Sequence, residues 1–327
     1  MVKLSRTRFE ALAAAVGSDP TGWRSPIRIS HSGSPALDVV TGLNGIPSGV
    51  IVELYGGASA WKSTYALQLV SAAQRDGSKA LYLDVDYGLT RERAVQLGVD
   101  LDRLLICHPE SGEEALEVLY RLVLSGGIRI AVVDSIAALV PQSELVQQIG
   151  EVPLGLQARL MTVGIRRLVA AARKSATTVI LINRLFNIDR GQGVLVPATP
   201  GGQAVRHFAG LRVRLNVGDP IISDGVCIGE LIELFVTKNR YGYDGASVTH
   251  GMYFDRGYDP IEQRNELARI IGLPEPSCDL SSTWLDDDSA AAVFRTLQKK
   301  RVRREASFMD QENEADFIDF ENDGPPF

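Results

Sequence analysis

Three observations predict an α/β protein built on a mostly parallel sheet with helices on both faces. Short apolar runs alternate with helical patterns from residue 50 to residue 183. Two of these runs, Ile130-Ala131-Val132-Val133 and Thr178-Val179-Ile180-Leu181-Ile182, are continuously apolar, as strands are when helices bury both their faces. The first strand, residues 50–55, passes through Gly56-Gly57 directly into a helix, the strand–turn–helix unit of such sheets.

In chain order, Leu4, Phe9, Leu12, Ala13 and Val16 share one face of a short N-terminal helix that Gly17 and Asp19-Pro20 end. Gly33, Pro35, Gly42, Gly45, Pro47 and Gly49 punctuate a connecting region with one helical stretch at residues 37–40. The core then reads as strand 50–55, helix 62–75, strand 80–84, helix 90–97 and strand 104–107. It continues with a helix opened by the capping box Ser111-x-x-Glu114, strand 128–134, helix 156–174 and strand 178–183. Runs at 211–217 and 231–237 are expected to extend the sheet antiparallel. After Pro260, helical patterns at 261–271 and 289–304 form a small C-terminal lobe, and the tail beyond is too polar and acidic to fold alone.

At 327 residues, 45% hydrophobic and 23% charged, the chain has the composition of a packed globular protein, and no apolar run reaches the roughly 18 residues of a membrane span. Cys107, Cys227 and Cys278 lie far apart and the histidines are scattered, which excludes a disulfide framework or a Cys/His metal cluster and suits a reducing cytoplasm. The first residues carry charge and no apolar signal core, so export is not expected. Residues 305–327 hold eight acids and no Lys or Arg; with those set aside, the net charge of −6 becomes +2 for residues 1–304. A polyanion therefore remains a permitted partner despite the acidic total.

The chemistry starts at Gly56-Gly57-Ala58-Ser59-Ala60-Trp61-Lys62-Ser63-Thr64. Backbone amides at a helix start cradle phosphate oxygens, Lys62 reaches the β- and γ-phosphates, and the Ser63 hydroxyl holds Mg²⁺. Trp61 stands where the pattern calls for glycine. At the helix entry an L-residue backbone is acceptable, so the expected difficulty is room for the indole, not φ. Asp134 ends a buried strand on the same sheet edge and can steady Mg²⁺ through water, or else it caps the next turn. Asp86, just after the strand at 80–84, can orient and deprotonate the water that attacks the γ-phosphate, whereas alternation points Asp84 inward. Asn183-Arg184 lies where a side chain can sense that phosphate. Arg159 and Arg166 are seven residues apart on one helix face and can both point at a nucleic-acid backbone, although solvated arginines would show the same spacing.

Together these residues resemble the RecA-type strand-exchange recombinases. The likeness runs from about residue 37 to residue 300. It is carried by Gly49-Val50-Ile51-Val52-Glu53-Leu54-Tyr55-Gly56, Val133-Asp134-Ser135-Ile136-Ala137-Ala138-Leu139, Gly155-Leu156-Gln157-Ala158-Arg159-Leu160-Met161 and Gly201-Gly202-Gln203-Ala204, in the family's order. The resemblance implies a RecA-like P-loop ATPase core at residues 30–259. An N-terminal docking helix and linker (1–29), the small lobe (260–304) and a disordered acidic tail (305–327) complete the chain.

It further implies ATP and Mg²⁺ as cofactors, and a DNA-dependent ATPase that forms helical filaments on single-stranded DNA and pairs it with homologous duplex. Residues 150–155 and 185–202 would be DNA-binding loops, with Leu154, Arg159, Arg166, Phe186, Ile188, Arg190, Thr199, Gly201 and Gly202 as contacts. The second loop, rich in Gly and Pro, reads as a flexible segment whose glycine amides can meet phosphates. Lys238 and Arg240 would reach a neighbour's γ-phosphate in trans.

Four positions depart from the family's pattern: Trp61 for Gly, Asp86 for Glu, Arg184 for Gln, and Arg93 where an aromatic stacks on adenine. Some bacteriophage members resemble this chain in the aromatic at 61 and in Asp86-Tyr87-Gly88-Leu89-Thr90. A bacterial cell or a phage-infected host is thus the expected setting. The last residues resemble the tip of bacterial single-stranded DNA-binding proteins, in which Asp323, Pro326 and Phe327 would dock on a replication or recombination partner. The alternative to the recombinase is an ATPase-attenuated accessory protein that recruits partners through this tail; a ring-forming helicase or clock-type ATPase on the same core fits the loops less well.

Overall fold

The computed structural model describes residues 27–148, 155–189, 195–271 and 292–297. A two-residue ladder pairs β1 (Ile29–Ser30) with β2 (Ile46–Pro47). The strands β3 (Ile51–Gly56), β4 (Lys79–Asp84), β5 (Leu104–Cys107), β6 (Ile128–Asp134) and β7 (Thr178–Arg184) are joined by helical crossovers. A hairpin, β8 (Phe186–Asp189) with β9 (Leu195–Ala198), precedes β10 (Leu211–Ser223), β11 (Val226–Asn239) and β12 (Ser247–Tyr253). The central sheet has eight strands in the order β12-β11-β10-β3-β7-β6-β4-β5.

Strand alternation divides the core. Val132, Ile180 and Ile182 face the helix Lys62–Gln74, which buries Tyr65, Ala66, Leu69 and Val70 against them. Val133, Val179 and Leu181 face the other way, toward Met161, Ile165, Leu168 and Ala172 of the helix Leu156–Ser175. Both helices bury residues at three- and four-residue intervals, the spacing of one helix face. The Ser111 hydroxyl accepts from Glu114 N at 3.2 Å, the expected cap of the helix Gly112–Leu124. Leu267, Ala268, Val293, Phe294 and Leu297 join the first of these clusters, so the described pieces after Pro260 pack on the same core.

Two expectations need correction. β10 pairs with β3 in parallel, Leu211 opposite Val52 through Leu215 opposite Gly56, and antiparallel pairing begins only at β11. The reason is the short helix Gly202–Phe208, which carries the chain back across the sheet before β10 starts. The described parts of the second loop, residues 185–189 and 195–202, are also more ordered than its composition suggests. β8 and β9 pair antiparallel, and Val196 and Ala198 are buried.

Candidate nucleotide site

The four central strands deliver their carboxyl ends to one edge. Register places Gly56 opposite Arg184 and Asp84 opposite Asp134. The phosphate loop, Asp86, Asp134 and Arg184 therefore line one cleft of 1020 Å³, together with Ser135, Asn183, Glu230 and Phe254. Such a crevice outside the carboxyl ends of parallel strands is where α/β sheets bind ligands.

Within the loop, Gly56 is required by close approach: a Cβ there would stand 2.3 Å from the Leu215 carbonyl oxygen. Trp61 reverses the sequence expectation. It adopts φ 59°, ψ 14°, the left-handed region, and Ser59 has φ 56°. Backbone conformation is thus the constraint that glycine ordinarily relieves, at a cost of about 1–3 kcal/mol for another residue. The indole finds its room beside Phe254, with ring centroids 5.3 Å apart, and its Nε1 donates to Glu230 Oε2 at 2.6 Å.

No side chain caps the helix that follows, so the amides of its first turn, at Lys62, Ser63 and Thr64, are left to a ligand. Lys62 Nζ donates to Gly57 O at 2.5 Å and Gly56 O at 3.3 Å. Burial lowers the pKa of its ammonium, Asp134 counters this, and Arg184 adds to it. Nearby, burial raises the Asp134 pKa; hydrogen bonds from Ser63 and Tyr82 oppose that rise, and the charges of Asp86 and Asp84 reinforce it. Tyr82 donates its hydroxyl to Asp134 Oδ2 at 2.6 Å. Uncapped amides, a lysine, a serine hydroxyl and clustered carboxylates make a donor set that fits a nucleoside triphosphate with a divalent cation.

Asp86 is exposed to the cleft, where its Oδ2 accepts from Ser135 Oγ at 3.1 Å. Its amide and that of Val85 both donate to the Asp134 carbonyl, which fixes the two carboxylates relative to each other. Asp84 is buried as alternation required, its carboxylate taken by the amides of Gly88 and Leu89.

Arg184 projects at the cleft from the end of β7. Beneath it lies a network that sequence reading missed except for Asn183. Asn183 Nδ2 donates to Glu53 Oε1 at 2.8 Å and to Pro200 O at 3.0 Å, and Oδ1 accepts the Arg184 amide at 2.9 Å. Glu53, wholly buried, also meets Arg212 Nε at 2.5 Å. A carboxylate inside the apolar run Ile51-Val52-Glu53-Leu54-Tyr55 was the available signal, because a buried charge requires a partner.

Arg93 is held beside the loop by three hydrogen bonds. It donates to Phe254 O at 2.7 Å, Gln96 Oε1 at 2.9 Å and Thr64 Oγ1 at 3.3 Å. Lys238 and Arg240 lie toward the opposite edge. Lys238 pairs with Arg212, whereas Gly56 is level with Leu215 and, across β10, with Leu234. Four residues of strand separate the two levels, about 13 Å. Both cations rest on the last carbonyls of the helix Gly202–Phe208. Lys238 Nζ donates to Arg206 O and His207 O, and Arg240 Nη2 to His207 O.

Among the proposed nucleic-acid contacts, Arg159 and Arg166 are exposed on their helix, as is Val163 between them. Phe186 is exposed and Ile188 half-buried on β8. Thr199 is buried, so it presents no open hydroxyl. Gly201 and Gly202 have φ 90° and 69°, and a Cβ on Gly202 would meet Ala158 Cβ at 2.8 Å. In the fold they serve the turn and close helix packing. Leu154, Arg190, Asp323, Pro326 and Phe327 lie outside the described residues.

Comparison with known proteins bears on this arrangement. The RecA N-terminal domain family matches residues 17–259. The chain belongs to the RecA family. It is similar to Protein RecA of Thermus thermophilus, 37% identical over 256 residues, which is 77% of this chain and 74% of that protein. It is also similar to Protein RecA of Mesoplasma florum, 35% identical over 259 residues, 78% of this chain and 76% of that protein. With Protein RecA of Acidothermus cellulolyticus it is 41% identical over 220 residues, 66% of this chain and 63% of that protein. As a RecA-family recombinase it is an ATP hydrolase dependent on DNA, acting in homologous pairing and strand exchange, and the accessory reading is not favoured.

Proposed function

We propose that the cleft works as an ATP-driven switch on single-stranded DNA, with the residues in the following roles. Bound ATP with Mg²⁺ supplies the transferable γ-phosphoryl group. Lys62 leaves the carbonyls of Gly56 and Gly57 for phosphate oxygens, and the Ser63 hydroxyl holds the metal with Asp134 behind it through water. Asp86 orients the attacking water and takes its proton. Arg184 faces the γ-phosphoryl, and its neighbour Asn183 ties that position to Pro200 at the end of the second loop. Residues 56–64 cradle the nucleotide.

The observation that carries this reading is the convergence of the uncapped loop, Asp86, Asp134 and Arg184 on one cleft. The distance of Lys238 and Arg240 from that cleft supports action on a neighbour's nucleotide, and a repeated heterologous contact of this kind builds a filament. In this reading the segment 1–29 docks on the neighbour, the two loops with Arg159 and Arg166 hold single-stranded DNA against homologous duplex, and the lobe at 260–304 packs beside the core. The tip Asp323, Pro326 and Phe327 recruits a replication or recombination protein in the cytoplasm of a bacterium or phage-infected host. Among the described residues no helix is long and apolar enough to cross a membrane.

Phosphate release measured with and without single-stranded DNA tests the assignment. DNA should stimulate it, and Lys62→Ala should abolish both turnover and ATP-dependent DNA binding. Unchanged DNA filaments with Lys62→Ala would defeat it.

A further inference from the structure

We infer that Tyr82 is a positioning residue for the metal end of the cleft: its buried phenol fixes the orientation of the Asp134 carboxylate toward the cation that accompanies the nucleotide. The inference rests on the nucleotide reading of the cleft and adds a residue that acts on it from behind.

Sheet geometry brings the hydroxyl there. β4 and β6 run parallel with Tyr82 opposite Val132 and Asp84 opposite Asp134, so Tyr82 sits two residues short of the Asp134 level. Tyr82 and Val132 share the face that packs on the helix Lys62–Gln74, and alternation sends Asp84 and Asp134 to that same face. Two residues of strand span about 6.6 Å, a distance that a phenol laid along the strand covers. The Tyr82 hydroxyl accordingly donates to Asp134 Oδ2 at 2.6 Å.

The pair divides between core and cleft. Asp134 and Ser63 line the cleft, and Tyr82, 1% exposed, lies beneath them in the core. Ser63, the hydroxyl assigned to the metal, hydrogen-bonds the same carboxylate. Three carboxylates crowd this corner, and each has donors of its own. Asp84 is tied by the amides of Gly88 and Leu89, Asp86 by Ser135 Oγ, and Asp134 from the core side by the phenol. Mg²⁺ demands near-ideal octahedral geometry, so a carboxylate that serves it gains from being held still. Outer donors that orient a metal-binding side chain are typically worth about 10–100-fold in metal affinity. A phenylalanine ring would fill the same slot in the core, which separates the role of the hydroxyl from that of packing.

The experiment titrates the full chain with a nonhydrolysable ATP analogue by calorimetry, across a range of Mg²⁺ concentrations and again in EDTA. In Tyr82→Phe the Mg²⁺ concentration for half-maximal nucleotide binding should rise about ten-fold, while affinity in EDTA stays within about two-fold of the parent. Tyr65→Phe removes another buried phenol O–H from the same core, one that meets Ser34 Oγ, and should leave the Mg²⁺ midpoint at the parent value. Tyr82→Phe placed on Asp134→Asn should add nothing to the loss from Asp134→Asn alone, because the phenol acts through that carboxylate. An unchanged Mg²⁺ midpoint in Tyr82→Phe, equal weakening with and without Mg²⁺, or a comparable further loss on the Asp134→Asn background overturns the inference and leaves the phosphate site standing. If the parent protein binds no nucleotide in Mg²⁺, the nucleotide reading falls and the role of Tyr82 falls with it.

Discussion

Replacing Arg212 with Met should be among the most destabilising single changes in the described core. The guanidinium lies over the Tyr55 ring at 4.6 Å and meets Glu53, whose side chain is 0% exposed, at 2.5 Å. Two unit charges about 4 Å apart attract by about 4 kcal/mol at the effective dielectric of protein sites. Removing one member of a buried pair costs about 3–5 kcal/mol, because the other charge is left without compensation. Asn183 alone cannot replace that charge, although its amide would still reach Glu53 Oε1. Urea unfolding of the full chain, followed by circular dichroism, measures the loss. The double variant Glu53→Gln with Arg212→Met removes both charges and should recover at least half of it. Arg212→Lys keeps the charge without the planar fork and should fall between parent and Met. A loss under about 1 kcal/mol for Arg212→Met, or a double variant as unstable as the sum of the singles, refutes the argument.

Other outcomes follow from the site. Asp86→Asn should lower the turnover number by about 10²–10⁴ with nucleotide affinity little changed, measured as phosphate release and equilibrium binding. Lys238→Ala with Arg240→Ala should inactivate homogeneous protein, yet mixing it with inactive Lys62→Ala should restore turnover at junctions that join a sound loop to sound cations; no recovery at any ratio counts against action in trans. His250 is wholly buried near Tyr65 and Tyr258, and burial lowers its pKa to about 4. Its folded-state value lies below the unfolded one, so the stability it contributes is present near neutrality and fades as pH falls from about 6.5 toward 4. Between pH 7 and pH 5 the parent should lose about 2 kcal/mol more than His250→Gln in urea unfolding.

The parts of the protein legible in its sequence are those set by local pattern. Continuous apolar runs identified β3, β4, β6 and β7 because both their faces are buried, and the loop at Gly56 was legible because it joins a strand to a helix. β12 was missed: His250 and Gly251 interrupt its apolar pattern, and its pairing with β11 is not encoded locally. β10 and β11 ran longer than expected because beyond Val217 and before Leu231 they pair with each other through a stretch that Gly218, Pro220, Gly225 and Gly229 interrupt. Within the site, residue types announced Lys62, Asp86 and Asp134. The partners of Glu53 and Trp61 did not show, since Arg212 and Glu230 lie 159 and 169 residues away. Trp61 was misjudged for a related reason. Whether a residue takes positive φ depends on how the loop must turn its amides, and the sequence records the usual solution, glycine, but not the fact that a remote carboxylate and a phenyl ring can hold an indole in the same conformation.

Under the proposed action in trans, the two ends of the sheet account for a division of the machinery between subunits. Lys62 and Arg184 are present in the cleft at all times, whereas under that proposal the cations of a neighbour arrive only on assembly. Here Lys238 and Arg240 sit near the far end of β11, held on the carboxyl end of the helix Gly202–Phe208, where the last carbonyls and the helix dipole favour positive charge. That helix begins at Gly202, directly after Pro200 and Gly201, and the Pro200 carbonyl is bound by Asn183 below Arg184. The same short segment therefore contacts the Arg184 end of β7 at its start and Lys238 and Arg240 at its finish. A shift of Pro200 on nucleotide or DNA binding would be felt seven residues later at the carbonyls that hold Lys238, which would give the proposed action in trans a physical route.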